Sequence, residues 1–214
     1  MFKKIISLCL VITTAFICFT YPISALETNE SLSNGMLNLS AISTNIYTKN
    51  VQNIDLSVAD IKSEQVSEDL FTESCDCIFK VDSNNVVSIV DSVPPLPRAT
   101  LSGTDESTYW KASIKITYVK SSDTVKLTKV EGSWTKLRGT SSITYREVTY
   151  GQVSLVTNNV NGDKYPTSNS FSYNTGFEAG RIVNNKSYVG GRSFIRYTRP
   201  GTELELELYC NKYF

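Results

Sequence analysis

The chain has 214 residues, room for one or two domains, with 41% hydrophobic residues, no histidine, and 21 basic against 21 acidic side chains. Without histidine it cannot build Ser-His-Asp or Cys-His nucleophilic systems, HExxH zinc sites or imidazole proton transfer. The balanced charge also lacks the basic excess of a nucleic-acid binder, so no nucleic-acid partner is expected.

Met1-Phe-Lys-Lys4 is a short basic start, and residues 5–19 are apolar apart from Ser7, Thr13 and Thr14. Pro22 then precedes Ile23-Ser-Ala25, which ends in a small residue. These are the three regions of a secretory signal peptide, so residues 1–25 are expected to be removed and the protein secreted. An uncleaved anchor competes with this reading, but residues 5–23 barely suffice to span a bilayer. A lipid anchor on Cys18 is disfavoured, since a bulky Ile17 precedes it.

Export changes what the five cysteines mean. Cys9 and Cys18 leave with the signal, and Cys75, Cys77 and Cys210 remain. Outside the cytosol three thiols allow one disulfide with one left over, in three pairings: 75–77, 75–210 or 77–210. Three thiols and no histidine cannot fill a four-ligand zinc site, and no cofactor or metal is expected.

The net charge of zero hides an asymmetry. Residues 26–96 carry eleven acidic and three basic side chains, a net of −8, and residues 97–214 carry ten acidic and sixteen basic, a net of +6. This reads as an acidic arm ahead of a basic body. Residues 26–47 are polar with no sustained period and read as loosely ordered. Residues 53–72 are weakly amphipathic: Ile54, Val58 and Ile61 share one helical face, while Val66 and Leu70 form an out-of-phase pair. A short helix is the expectation there.

Cys75-Asp-Cys77 leads into two apolar runs, residues 78–81 and 86–90, around the polar Asp82-Ser-Asn-Asn85. That pattern predicts a β-hairpin. Pro94-Pro-Leu-Pro97 follows, and three prolines in four residues cannot continue a helix or a central strand. The domain boundary is drawn there, giving a signal at 1–25, an arm or pro-segment at 26–96 and a β-domain at 97–214.

Beyond it, Trp110, Ala112, Ile114, Ile116 and Tyr118 alternate with polar residues. Further runs at 124–130 (ended by Glu131-Gly132), 142–149, 152–157, 168–173 and 192–198 carry the composition of strands. Residues 158–163 read as a turn around Asn161-Gly162, and residues 176–191 as a long surface loop. As a calcium loop with Gly162 at its glycine, that turn would need carboxylates at Thr157 and Ser168, so the motif is rejected. The last stretch alternates strictly, with Leu204, Leu206, Leu208 and Cys210 against Glu203, Glu205 and Glu207. About seven such strands predict a mainly β fold, an antiparallel β-sandwich or barrel.

The glutamates stand about 7 Å apart along the strand, inside the range a glycosidase pair needs. An exposed row lacks the burial that raises a general acid's pKa, so a solvated charge ladder is the better reading, with Lys111 and Lys115 as its expected partners. No catalytic residues are assigned. Arg181, Arg192, Arg196 and Arg199, with Tyr173, Tyr188 and Tyr197 near them in sequence, form the candidate binding surface, since arginines beside aromatics suit anionic polymers or lipid headgroups. The expected function is therefore that of a secreted, non-catalytic β-sandwich. Its partner would be an extracellular or cell-surface polymer or protein, such as a glycan, with a membrane surface also a candidate. The alternative is a precursor of a surface-active effector, toxin-like or bacteriocin-like, whose acidic segment masks the basic body.

Overall fold

The computed structural model describes residues 36–95, 107–155, 160–183 and 186–214. The signal peptide with Cys9 and Cys18, together with Pro97 and residues 156–159, lies outside them. Thirteen strands and no helix occupy the described residues: β1 (Met36–Asn45), β2 (Val51–Ile54), β3 (Asp60–Gln65), β4 (Leu70–Val81), β5 (Val87–Val90), β6 (Thr108–Lys120) and β7 (Thr124–Arg138). They continue with β8 (Ser142–Val153), β9 (Val160–Lys164), β10 (Ser170–Asn174), β11 (Gly180–Arg181), β12 (Tyr188–Arg199) and β13 (Thr202–Tyr213).

All pairings are antiparallel, in two sheets packed as a sandwich. Sheet A runs β2-β1-β13-β12-β8-β9. Sheet B runs β10-β7-β6-β4-β3, with β11 also on β7 and β5 also on β4. The strict alternation of the last strand holds: Leu204, Leu206, Leu208 and Cys210 are buried between the sheets, and the glutamates face out.

Over its described residues, 36–95, the acidic segment is not a loosely ordered arm. β1 pairs with β13 over ten residues, and β4 lies between β6 and β3 within sheet B. Strands from before and after the prolines therefore share both sheets. The helix expected over 53–72 is replaced by the end of β2, all of β3 and the start of β4. Its supposed i, i+4 pairs straddle the connections between these strands, Ile54 and Val58 at the end of β2 and Val66 and Leu70 between β3 and β4, so their spacing records no helical face.

The predicted hairpin is present, with Ile78 opposite Val90 and Val81 opposite Val87. Asp82 Oδ1 accepts the N–H groups of Asn84 at 2.8 Å and Val86 at 2.9 Å, and Asn85 takes a left-handed φ of 65°. An acidic side chain closing its own turn suits this geometry.

Two glycines expected to break strands instead sit inside them. A Cβ on Gly132 would lie 2.5 Å from the Phe171 ring, so β7 passes through it to Arg138. A Cβ on Gly162 would lie 2.6 Å from the Tyr150 ring, so β9 takes the place of the expected turn. Each glycine yields its side-chain space to an aromatic ring from the neighbouring strand.

Polar links tie the sheets together. Buried Trp134 Nε1 donates to Ser193 Oγ at 2.6 Å. Gln152, fully buried, accepts from Leu127 N at 2.8 Å and donates to the Glu178 carbonyl at 2.9 Å. Its amide satisfies β7 between the stretches paired by β10 and β11, and leaving such a buried group unmade costs about 1–3 kcal/mol. At the opposite side, Gln52 of β2 exchanges two hydrogen bonds with the backbone of Val87 on β5.

Candidate functional site

The structure disperses the seven predicted surface residues. Arg192, Arg196 and Tyr188 share the outer face of sheet A, by their alternation along β12 and their partners on β13. Tyr197 is in the core, its ring 5.7 Å from that of Trp110, and burial raises its hydroxyl pKa well above the ordinary range. Tyr173 stacks on Phe171 at the sheet B edge. Arg181 is exposed on β11. Arg199 donates to the carbonyls of Val81 and Asp82 and holds the hairpin end. Proximity in sequence misled here, because alternate residues of one strand face opposite sides of the sheet.

The outer face of sheet A carries an ordered lattice of charge and aromatic rings. Arg192 bridges Glu147 at 2.9 Å and Glu207 at 2.6 Å. Arg196 holds Glu205 at 2.7 Å. The glutamate row is a charge ladder, as its spacing predicts, but its partners are these arginines. Lys111 and Lys115, the expected partners, lie on β6 in the other sheet.

Burial works against the Arg192 charge, yet the carboxylates of Glu207 and Glu147 outweigh it and raise its pKa. The hydrogen bond to Glu205 does the same for Arg196.

Aromatic rings run across the same face. Tyr165 and Tyr145 lie 6.0 Å apart, and Tyr145 meets Phe194 edge-on at 5.7 Å. The Arg192 guanidinium sits 4.8 Å above Phe194 and 6.0 Å from Tyr209, and Arg196 lies 5.7 Å from the Tyr145 ring. Tyr145 also donates to Glu147 at 2.9 Å. Lost hydration and that hydrogen bond push its hydroxyl pKa up to about 12. Tyr145 and Tyr165 are nevertheless 36% and 63% exposed. Rings held in place yet open to water are what a recognition surface uses.

Sheet B offers a second, more polar depression of about 440 Å³. Ser74, Asp76, Ser113, Lys115, Glu131 and Ser133 line it over Phe171. Ser113 and Ser133 bond each other at 2.9 Å, and Lys129 holds Glu131 at 2.7 Å. That hydrogen bond lowers the Glu131 carboxyl pKa. None of the serines lining this depression is hydrogen-bonded to Lys115.

The three cysteines are free, buried thiols. Cys75 and Cys77 point inward from β4, and Cys210 Sγ approaches the Glu73 carbonyl at 3.8 Å from β13. Contact with Cys75 and then burial raise the Cys77 pKa, and burial raises that of Cys210. Thiols whose pKa is raised, as at Cys77 and Cys210, are poor nucleophiles and poor metal ligands.

Sequence reasoning missed Tyr145, Phe194 and Tyr209 as partners of the arginines, and Tyr165 as the ring beside Tyr145. Their only signal was strand alternation, which needs the register to become spatial. The chain matches no protein-family model, no curated protein and no solved structure.

Proposed function

We propose that this is an exported, non-catalytic β-sandwich that binds an extracellular or cell-surface ligand on the outer face of sheet A. The observation that carries the reading is the exposed ring pair Tyr145–Tyr165, in which Tyr145 is held by Phe194, Arg196 and Glu147. Export rests on the basic, apolar and small-residue sequence of residues 1–25. The reading stands above that of an effector precursor. Removing residues 26–96 would extract β1 to β5, including β4 from inside sheet B.

The test is a screen of the secreted protein and its Tyr145→Ala/Tyr165→Ala variant against cell-wall glycans, lipid vesicles and proteins. A ligand bound by the wild type and lost at least tenfold in the variant supports the reading. Equal binding by both, or hydrolytic turnover of a bound polymer, overturns it.

The fold holds Cys75, Cys77 and Cys210 as three separate buried thiols, so a disulfide among them, which an oxidising compartment permits, requires these strands to rearrange. Non-reducing peptide mapping of secreted material should find a single start at Leu26, and a crosslink among these three would report that rearrangement. Material beginning near the prolines would reinstate the precursor.

A further inference from the structure

The register of sheet A lays a row of amides and glycines across its outer face. Asn38 of β1 stands opposite Asn211 of β13, Asn211 opposite Gly190 of β12, Gly190 opposite Gly151 of β8, and Gly151 opposite Asn161 of β9. Residues directly opposite in an antiparallel pair share a face, so the row is a floor of three amides and two bare backbones. The Asn211 Oδ1 occupies the space where a Gly190 Cβ would stand, so this amide extends over the glycine. None of the three asparagine amides has a hydrogen-bonding partner among the described residues.

The adjacent rows rise on either side. Two residues along the strands in one direction stand Tyr188 and Tyr213, with ring centroids 5.4 Å apart. Two residues the other way stand Tyr209 and Arg192, which are opposite each other. Five strands at about 4.8 Å make a floor about 19 Å long, and four residues along β12 separate the walls by about 13 Å.

From this geometry we infer that the trough binds an extended, uncharged oligosaccharide lying across the strands. The inference rests on the outer face of sheet A being the binding surface, and it names the ligand class.

Charge argues for a neutral ligand. Arg192 is held between two carboxylates and Arg196 by a third, so neither guanidinium is free for a polyanion. Glu147, Glu203, Glu205 and Glu207 outnumber these two arginines on the face, which repels anionic polymers. The unspent groups are neutral amides, each both a donor and an acceptor.

Sugar hydroxyls are likewise donors and acceptors, and the C–H face of a pyranose covers a tyrosine ring. An acyl chain would leave the amides desolvated and unpaired on the floor, at a cost of about 1–3 kcal/mol each. A saccharide meets both parts of the surface at once.

The decisive variant is Gly151→Leu. A Cβ there meets nothing nearer than Val160 O at 3.4 Å, so the fold accepts a side chain, and that side chain fills the trough. Asn211→Ala removes an amide without adding bulk. The full secreted chain, these two variants and Tyr145→Ala/Tyr165→Ala are titrated calorimetrically. The neutral probes are hexamers of glucose, mannose and N-acetylglucosamine, and the anionic probes are heparin and polygalacturonate.

The expected result is binding of a neutral hexamer that changes little with salt and weakens at least tenfold in both trough variants. Binding of the anionic probes alone, lost at high salt, overturns the neutral class and leaves the face as a binding surface. Binding of a neutral hexamer that survives in both trough variants but fails in the tyrosine variant overturns the trough and keeps the face. Binding unchanged in every variant overturns both. No binding by any probe overturns the saccharide class, and a protein ligand found by the screen above would then occupy the face.

Discussion

Residues 97–214 expressed alone should fail to fold. Without β1, the buried strand β13 becomes an open edge over ten residues, and without β4, β6 becomes another over twelve. The same cut removes Phe71, Phe79, Val81 and Val87 from the core. Burying such side chains contributes about 1.5–3 kcal/mol each, so these four account for about 6–12 kcal/mol. That is comparable to the whole net stability of a typical domain, about 5–15 kcal/mol.

The expected observation is a fragment that lacks dispersed amide proton signals, melts without a cooperative transition and aggregates through its two open edges. A sharp melting transition and native-like dispersion from this fragment would overturn the prediction. The same outcome would restore the detachable acidic segment. Opposite net charge between the two parts is thus no measure of separability. Apart from the buried Glu73–Lys212 pair, charge lies toward the outer faces, whereas strand pairing and the shared core decide what can leave.

What the sequence disclosed follows from how local each signal is. The final strand was legible because its alternation is complete over seven residues and needs no partner to be seen. The hairpin at residues 78–90 was legible because Asp82 and Asn85 close it within a few residues. β1 was not, since its inward side chains include Ala41 and Ser43, which carry little hydropathy. Its place is fixed by β13, at the far end of the chain. The glycines at 132 and 162 were read as breakers because the rings that fill their space, Phe171 and Tyr150, come from other strands.

The candidate site was legible in part: Arg192, Arg196 and Tyr188 were named, but the glutamate row that engages the two arginines was paired instead with Lys111 and Lys115, which lie in the other sheet. The trough was invisible for a stricter reason. Its row exists only once five strands are in register, and Asn38 and Asn211 have no reason to be compared before then. A trace was present in Gly190 and Gly151, since glycine inside a strand often marks a close approach of another backbone or a ligand.

Lys212→Met should destabilise the protein by about 3–5 kcal/mol, the cost of removing one partner from a buried ion pair. The alternation of β13 points Lys212 into the core, and that of β4 does the same for Glu73. Their side chains are 6% and 2% exposed, with Nζ and Oε1 3.3 Å apart. Tyr118 donates to the same carboxylate at 3.0 Å, and Ser63 also donates to it. The variant keeps both hydroxyl donors and loses the counter-charge, leaving a carboxylate in a site that hydration cannot reach.

With a denaturant slope of about 2 kcal/mol per molar urea, the unfolding midpoint should fall by about 2 M. Adding Glu73→Gln should recover most of the loss, because a neutral amide accepts from Tyr118 and needs no cation. A fall of less than about 0.5 M in the single variant, or no recovery in the double, would show that the pair is already compensated by solvent. The pair joins β4 of sheet B to β13 of sheet A, so it constrains how the two sheets face each other. An apolar pair such as Leu and Met would supply attraction without that directionality. The lysine and glutamate therefore act on the relative placement of the sheets at a position where sheet A's outer face carries Asn211 and Tyr213. Through that link the buried pair helps fix the floor on which the proposed ligand would lie.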